Sequence, residues 1–266
     1  DTLQRADHTL GVEAEDVMAN SAQVTGGPTR IYSLLANASI PWPTITLSTG
    51  EEVTLNQSGY SKHRAAQNRE DRKLVFDTFW NTWKTYEATF GQTLDTLVQG
   101  HIFATKSRNY ESSVDRSVAN SNVPSSVYRA LVKAANDNLP SMHRYLKLRQ
   151  RIMGLEDLHY YDIYPETTQL DREFSVDDAK KLTLESLVPF GEEYLTALKT
   201  GFQGDWMHVY PQDGKRSGAY MQGAGYDEHP YVLLNFNKGF EDVSTFSHEW
   251  GHAVHTLLSK ENNPYE

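Results

Sequence analysis

The sequence predicts a mainly α-helical protein with a small β-sheet. Three observations carry this. Apolar residues recur every three to four positions over most of the chain, alternation with a period of two is confined to short runs, and Gly and Pro punctuate the pattern at intervals. At 266 residues the chain is long enough to bury a sizeable core, as one large domain or two modest ones.

Taken in order, Gly27-Pro28 precedes a short helix expected over 31–38, with Pro placed where its missing N–H costs nothing. The runs Thr44-Ile45-Thr46-Leu47 and Glu51-Glu52-Val53-Thr54-Leu55 flank Ser48-Thr49-Gly50, which reads as a β-hairpin near 44–55. From Arg69 to about Ser107, residues Leu74, Val75, Phe79, Trp83, Tyr86 and Phe90 keep helical spacing, so one long amphipathic helix is expected, its aromatic stripe belonging to the core. A second long helix is expected from Ser125 to Met153, kinked or split at Pro140. A third runs from Ser175 to about Phe202, with the same complication at Pro189. After Gly204 the texture changes. Short β-like runs at 206–210, 216–221 and 230–236 are separated by Asp213-Gly214 and by Gly223-Ala224-Gly225. A final helix follows, for which Asp242 reads as the N-cap and Val243, Phe246, Trp250, Val254 and Leu257 as the buried face.

Composition narrows the function classes. A net charge of −10 with dispersed basic residues leaves no electrostatic footprint for nucleic acid. No apolar run approaches the roughly eighteen residues of a membrane span, and Asp1-Thr2-Leu3-Gln4-Arg5 has no apolar signal core. Cys is absent, which removes disulfides and thiol chemistry and leaves His, Asp and Glu as the strong metal ligands. A cytoplasmic location is expected, and export stays open.

One segment carries chemistry: His248-Glu249-Trp250-Gly251-His252. Two His four residues apart project from one helix face a single turn apart, so both reach one metal ion. Glu249 then stands beside the metal, where its carboxylate can take a proton from a water that the metal activates. The bland alternative is a solvated helix face that matches by chance, on the order of a few per cent for a chain of this composition. Zinc needs a third protein ligand. The pattern that places Gly and His after the second His is ruled out by His255 and Leu258, and Glu261 and Glu266 follow too closely to serve as a ligand from a later helix. The third ligand is therefore expected beyond residue 266.

Several further residues stay open. His255, one turn past His252, either touches a ligand or substrate or is simply exposed. Gly251 either receives a close neighbour or is a tolerated defect. The strand Tyr231-Val232-Leu233-Leu234-Asn235-Phe236 is apolar on both faces, either a covered core strand or an edge to which a peptide adds. His229, just before it, is a candidate for the cleft. His8, His63, His101, His143, His159 and His208 are isolated. The Gly218 to Gly225 stretch lacks the Gly-Lys-Ser/Thr ending of a phosphate loop.

Phe246-Ser247-His248-Glu249-Trp250-Gly251-His252-Ala253-Val254-His255 resembles the extended H-E-x-G-H-x-x-H signature of the thimet-oligopeptidase-like metallopeptidases. Gly214-Lys215-Arg216-Ser217-Gly218-Ala219-Tyr220 and His229-Pro230-Tyr231-Val232-Leu233-Leu234-Asn235-Phe236 are similar to the oligoendopeptidase F branch, as are Tyr60-Ser61-Lys62, Asn138-Leu139-Pro140 and Tyr161-Asp162-Ile163-Tyr164 upstream. The resemblance implies a zincin-type catalytic domain in a two-lobed helical peptidase whose channel admits short peptides. Residues 1–80 correspond to part of the N-terminal helical region and 81–266 to part of the catalytic domain. The resemblance also implies one Zn2+ held by His248 and His252, with Glu249 as general base. The third ligand, a Glu about two dozen residues after His252, and Tyr and His residues at the oxyanion, would come from a C-terminal segment or a second chain. Gly218, Tyr220, His229, Tyr231 and His255 are candidates for substrate contact. The function expected is zinc-dependent hydrolysis of short peptides; the alternative is a scaffold that binds peptides without cutting them.

Overall fold

The computed structural model describes residues 6–167, 172–212 and 214–263. Asp213 of the expected Asp213-Gly214 turn, the N-terminal residues 1–5 and residues 264–266, including Glu266, lie outside that description. In chain order the helices and strands are α1 (Val12–Thr25), α2 (Gly27–Leu34), β1 (Thr44–Thr46), β2 (Glu52–Thr54), α3 (Gln57–His63), α4 (Arg69–Lys84), α5 (Glu87–Ser107), α6 (Ser113–Ala119), α7 (Ser125–Ile152), α8 (Val176–Ser186), α9 (Glu192–Gln203), β3 (Met207–His208), β4 (Tyr220–Gln222), β5 (Tyr231–Leu233) and α10 (Phe240–Asn262). The mainly α prediction with small sheets holds, and the hairpin falls as expected. None of the described helices is long and apolar enough to cross a membrane.

Two expected helices differ, and a third divides at the Pro189 complication expected for it. The first is α2, which begins at Gly27 and passes into a π-helical turn at Leu35–Ser39. The second is the expected Arg69-to-Ser107 helix, which breaks at Thr85-Tyr86 into α4 and α5. There the Thr85 hydroxyl donates to Thr82 O at 2.7 Å and its N–H reaches the same carbonyl at 3.2 Å, tightening the turn beyond α-helical geometry. The third, expected over 175–202, breaks between α8 and α9, where Pro189 stands in a 3-10 turn and Gly191 takes φ 91°. Pro140, by contrast, sits inside an unbroken α7.

Two compact units are formed, Asp1–Glu52 with Arg64–Thr167 and Val53–His63 with Thr168–Glu266. The first is built on α4, whose N-terminus is capped by Asn68 accepting from Glu70 N at 2.8 Å and whose Val75 and Phe79 are buried. Its polar centre is Asp162, fully buried. Asp162 receives Arg69 Nη2 at 3.0 Å, Arg72 Nη2 at 2.9 Å and His159 N at 3.0 Å. Burial alone would push this carboxyl up; the donors from Arg69, His159 and Arg72 outweigh it and hold it below its ordinary value. Arg149 of α7 donates Nε to Asp162 O at 2.9 Å and Nη2 to Pro165 O. A buried Asp that meets two Arg and a backbone N–H is a centre in which each charge has a partner.

The second unit places α8, α9 and a three-stranded sheet against α10. Strand order is β3-β5-β4, with β3 parallel and β4 antiparallel to β5. The core comprises Phe174, Leu198, Phe202, Val232, Leu234, Phe236 and, from α10, Val243, Phe246, Trp250, Ala253 and Val254. The apolar face expected for the last helix is thus the buried one, with Leu257 half-buried.

Candidate active site

Helix α10 is set by its N-terminus. Gly239 is the N-cap and Asp242 the third helical residue, so the expected Asp242 cap is corrected. Its carboxylate instead reaches back to accept Gly239 N at 2.8 Å, satisfying a donor that helix geometry leaves free. Burial pushes that carboxyl up.

Trp250 is wholly buried and fixes how α10 approaches α9. A Cβ at Gly201 would come within 2.8 Å of Trp250 Cη2 and 3.1 Å of Trp206 Cε3, so the indole occupies the space that a side chain would fill. Phe202 meets Trp250 edge-on at 4.8 Å and Trp206 lies nearly parallel to it at 6.4 Å. From α8, Thr183 Oγ1 bonds Ser247 Oγ at 2.6 Å, holding the residue before His248. Gly251, for which a close neighbour was one reading, has none. A Cβ there would meet only the Tyr194 hydroxyl, at 3.9 Å.

With its back so held, α10 presents His248, His252 and His255 exposed on the opposite side. His248 Nε2 and His252 Nε2 stand 3.1 Å apart. Two nitrogens at bonding distance from one tetrahedral zinc ion would be about 3.3 Å apart, so the pair fits such an ion as it stands. Glu249, between them in sequence, is only 8% exposed, and among the described residues no hydrogen bond holds its carboxylate. No group of three His, Cys, Asp or Glu that could hold a metal is found among the described residues. The structure thus brings His248 Nε2 and His252 Nε2 together, with Glu249 buried beside them in sequence, and among the described residues no third ligand joins them.

The remaining candidates lie on or beside the sheet. Strand β5 has neighbours on both sides, so of its two readings the covered core strand holds and the edge does not; β3 and β4 are the outer strands. Tyr220 and Gln222 of β4 are exposed, while Met221 points toward α10, where Thr256 Oγ1 lies 3.8 Å from its sulfur. Thr256 is one turn beyond His252, so β4 runs beside the histidine-bearing part of α10. His229 stacks on Trp206 at 4.6 Å and meets Tyr231 at 4.4 Å, its Nδ1 3.0 Å from Pro230 O. Tyr231 is 51% exposed. Gly218 takes φ 80°, which suits glycine, and its carbonyl accepts Asn235 Nδ2 at 2.7 Å.

Two residues that shape the site were not singled out in the sequence: Thr183 and Gly201. Each acts through a partner distant in the chain, and no spacing rule reports such pairs. Only Gly201, a glycine inside a helical run, broke a local preference.

A helical peptidase domain is the class that this fold and this two-His, one-Glu turn define. The chain belongs to peptidase family M3, whose model matches residues 63–266. It is 34% identical to oligopeptidase PepF of Bacillus subtilis over 259 residues, 97% of this chain and 38% of that protein. With an oligoendopeptidase F homolog of Lactococcus lactis it shares 34% over 258 residues, 97% of this chain and 43% of that one. The crystal structure of oligoendopeptidase-F from Enterococcus faecium matches with a TM-score of 0.63 and 33% identity over 74% of this chain and 37% of that chain. The chain thus spans less than half the length of these relatives.

Proposed function

We propose that this chain carries two ligands and the general base of a zinc-dependent endopeptidase acting on short peptides, with residues 81–266 forming part of its catalytic domain. The observation that carries the reading is the 3.1 Å approach of His248 and His252 Nε2 beside a largely buried Glu249. A zinc ion, when bound, supplies electrophilic activation of water and of the scissile carbonyl. The protein's own part follows from its residues. His248 and His252 offer neutral imidazole nitrogens from one rigid helix turn. Glu249 accepts the proton of the attacking water and passes it to the leaving amine nitrogen. A peptide lies extended along the outer edge of β4, its main chain pairing with that strand, which runs beside Thr256. Exposed Tyr220 and Tyr231 are placed for side-chain contact, whereas the stacking of His229 on Trp206 supports a role in holding Tyr231.

The test is Glu249→Gln. Peptide cleavage should fall by a factor on the order of 10² to 10⁴, the range for loss of a general base, while zinc content measured by elemental analysis stays that of the unaltered protein. Near-normal cleavage would overturn the assignment.

A second reading rests on the two-ligand count: with no third ligand among the described residues, the chain binds peptides without cutting them unless a further segment completes the site. Stoichiometric zinc together with cleavage of a short fluorogenic peptide excludes it.

A further inference from the structure

The loop between β3 and β4 is fastened from inside by two side chains that peptide hydrolysis does not itself require. Lys215 Nζ donates to Tyr210 O at 2.7 Å, to His208 O at 3.2 Å and to Leu234 O, all three ammonium hydrogens being directed at main-chain carbonyls. His208 and Tyr210 lie at the end of β3, and Leu234 just beyond β5. From the same end of β5, Asn235 Nδ2 donates to Arg216 O at 3.0 Å and Gly218 O at 2.7 Å. The chain then turns at Gly218 and enters β4 two residues later. One ammonium and one amide thus tie the loop that delivers β4 to the two strands behind it.

Strand β4 is only three residues long and pairs with β5 alone, so its own ladder of Tyr220, Met221 and Gln222 fixes it weakly. Just past its end, Gly223 sits where a Cβ would come within 2.7 Å of Thr256 Cγ2, so α10 sets a limit to how far the strand can move toward the helix. Lengthwise, the clasp adds to that short ladder, alongside Ser217 Oγ donating to Gln57 Oε1 from the same loop.

We infer that Lys215 and Asn235 are positioning residues for substrate: by holding the 215–218 loop to β3 and β5 they fix the register at which the outer edge of β4 meets a peptide main chain. The inference rests on the reading above that peptides bind along β4. Charge-assisted bonds to carbonyls are among the strong ones, so losing the clasp should loosen the edge substantially while leaving the metal-binding turn of α10 untouched.

The experiment uses full-length, zinc-loaded protein and an internally quenched oligopeptide, compared with the same peptide N-methylated at each position in turn. In unaltered protein, methylating an amide that pairs with β4 should raise KM; if no position in the scan does so, the β4 reading itself fails. For Lys215→Met, which keeps the stem and removes the donors, KM should rise about tenfold, as expected for loss of hydrogen bonds from a charged group. The N-methyl penalty should shrink at the same time, with zinc content unchanged. Asn235→Ala should move both quantities the same way, and it carries the test if Lys215→Met does not fold. A lysine that merely stabilises the fold would lower the active fraction, and hence the apparent kcat, at unchanged KM. An unchanged KM with a full N-methyl penalty in the folded variants overturns the inference.

Discussion

Helices α7 and α10 are both long and amphipathic by their sequence, yet the chain treats them differently. In α10, Val243, Phe246, Trp250, Ala253 and Val254 are buried against α8, α9 and the sheet. In α7, 28 residues long, Arg149 is the only buried residue, and Val127, Leu131, Leu139, Met142, Tyr145 and Leu148 are exposed. The first helix is held by apolar packing along its length; the second is held near its C-terminal end by one guanidinium bonded to Asp162 O and Pro165 O. Helical periodicity tells which face wants a partner and says nothing about whether that partner is present. For the helix proposed to carry the chemistry the distinction matters. Precise placement of His248 and His252 needs a back that cannot rotate, and α10 has one.

The sharpest way to break the contrast is to empty the α10 core. Trp250→Ala removes the ring that fills the gap at Gly201 and should cost about 3–5 kcal/mol, measured by denaturant unfolding of the zinc-free protein. An effect below about 1 kcal/mol would show that this helix is no better fixed than α7.

Next comes the Asp162 centre, whose main-chain carbonyl receives Arg149 of α7 while its carboxylate meets Arg69 and Arg72. Asp162→Asn leaves the buried Arg72 without its counter-charge and should cost about 3 kcal/mol. The same carboxyl gives a pH signature. Because its folded value lies below the ordinary 3.8, the folded state holds fewer protons than the unfolded one in acid. Its contribution to stability is therefore complete above 3.8 and is lost as pH falls through the lower, folded value. Unfolding curves measured between neutral and acid pH should show that loss in the unaltered protein and lack it in Asp162→Asn.

The smallest effect is expected on the exposed face of α7. Leu131 is 68% exposed, and Leu131→Ser should change stability by no more than about 0.5 kcal/mol. A larger loss would mean that this face is covered in solution and would erase the contrast.

How much of this was legible beforehand depends on how local the cause is. The spacing of His248 and His252, the apolar back of α10 and the hairpin near 44–55 are short-range patterns, and all appear as read. The Thr85-Tyr86 break was missed because it has no Pro or Gly, only a Thr whose hydroxyl competes for its own helix carbonyl. Whether β5 was a covered strand or an edge stayed open because strand order depends on pairings outside the strand. The Asp162 centre joins residues 90 and 93 positions apart, and Lys215 reaches Leu234 across 19. Such pairs leave no periodic trace. At the site, the turn that carries His248, Glu249 and His252 could be read; what holds it still could not.

The division of the chain into units has a kinetic corollary. Val53–His63 belongs with residues from Thr168 onward, and Gln57 is bonded to Ser217, 160 positions later. During synthesis this segment leaves the ribosome long before its partners exist. Completing this second unit then means closing a loop of more than a hundred residues. The entropy of so long a closure rises only slowly with length, but it must be met before the contacts that repay it form, and that slows the search. The half of the molecule that would do the chemistry is therefore the half that should finish folding last.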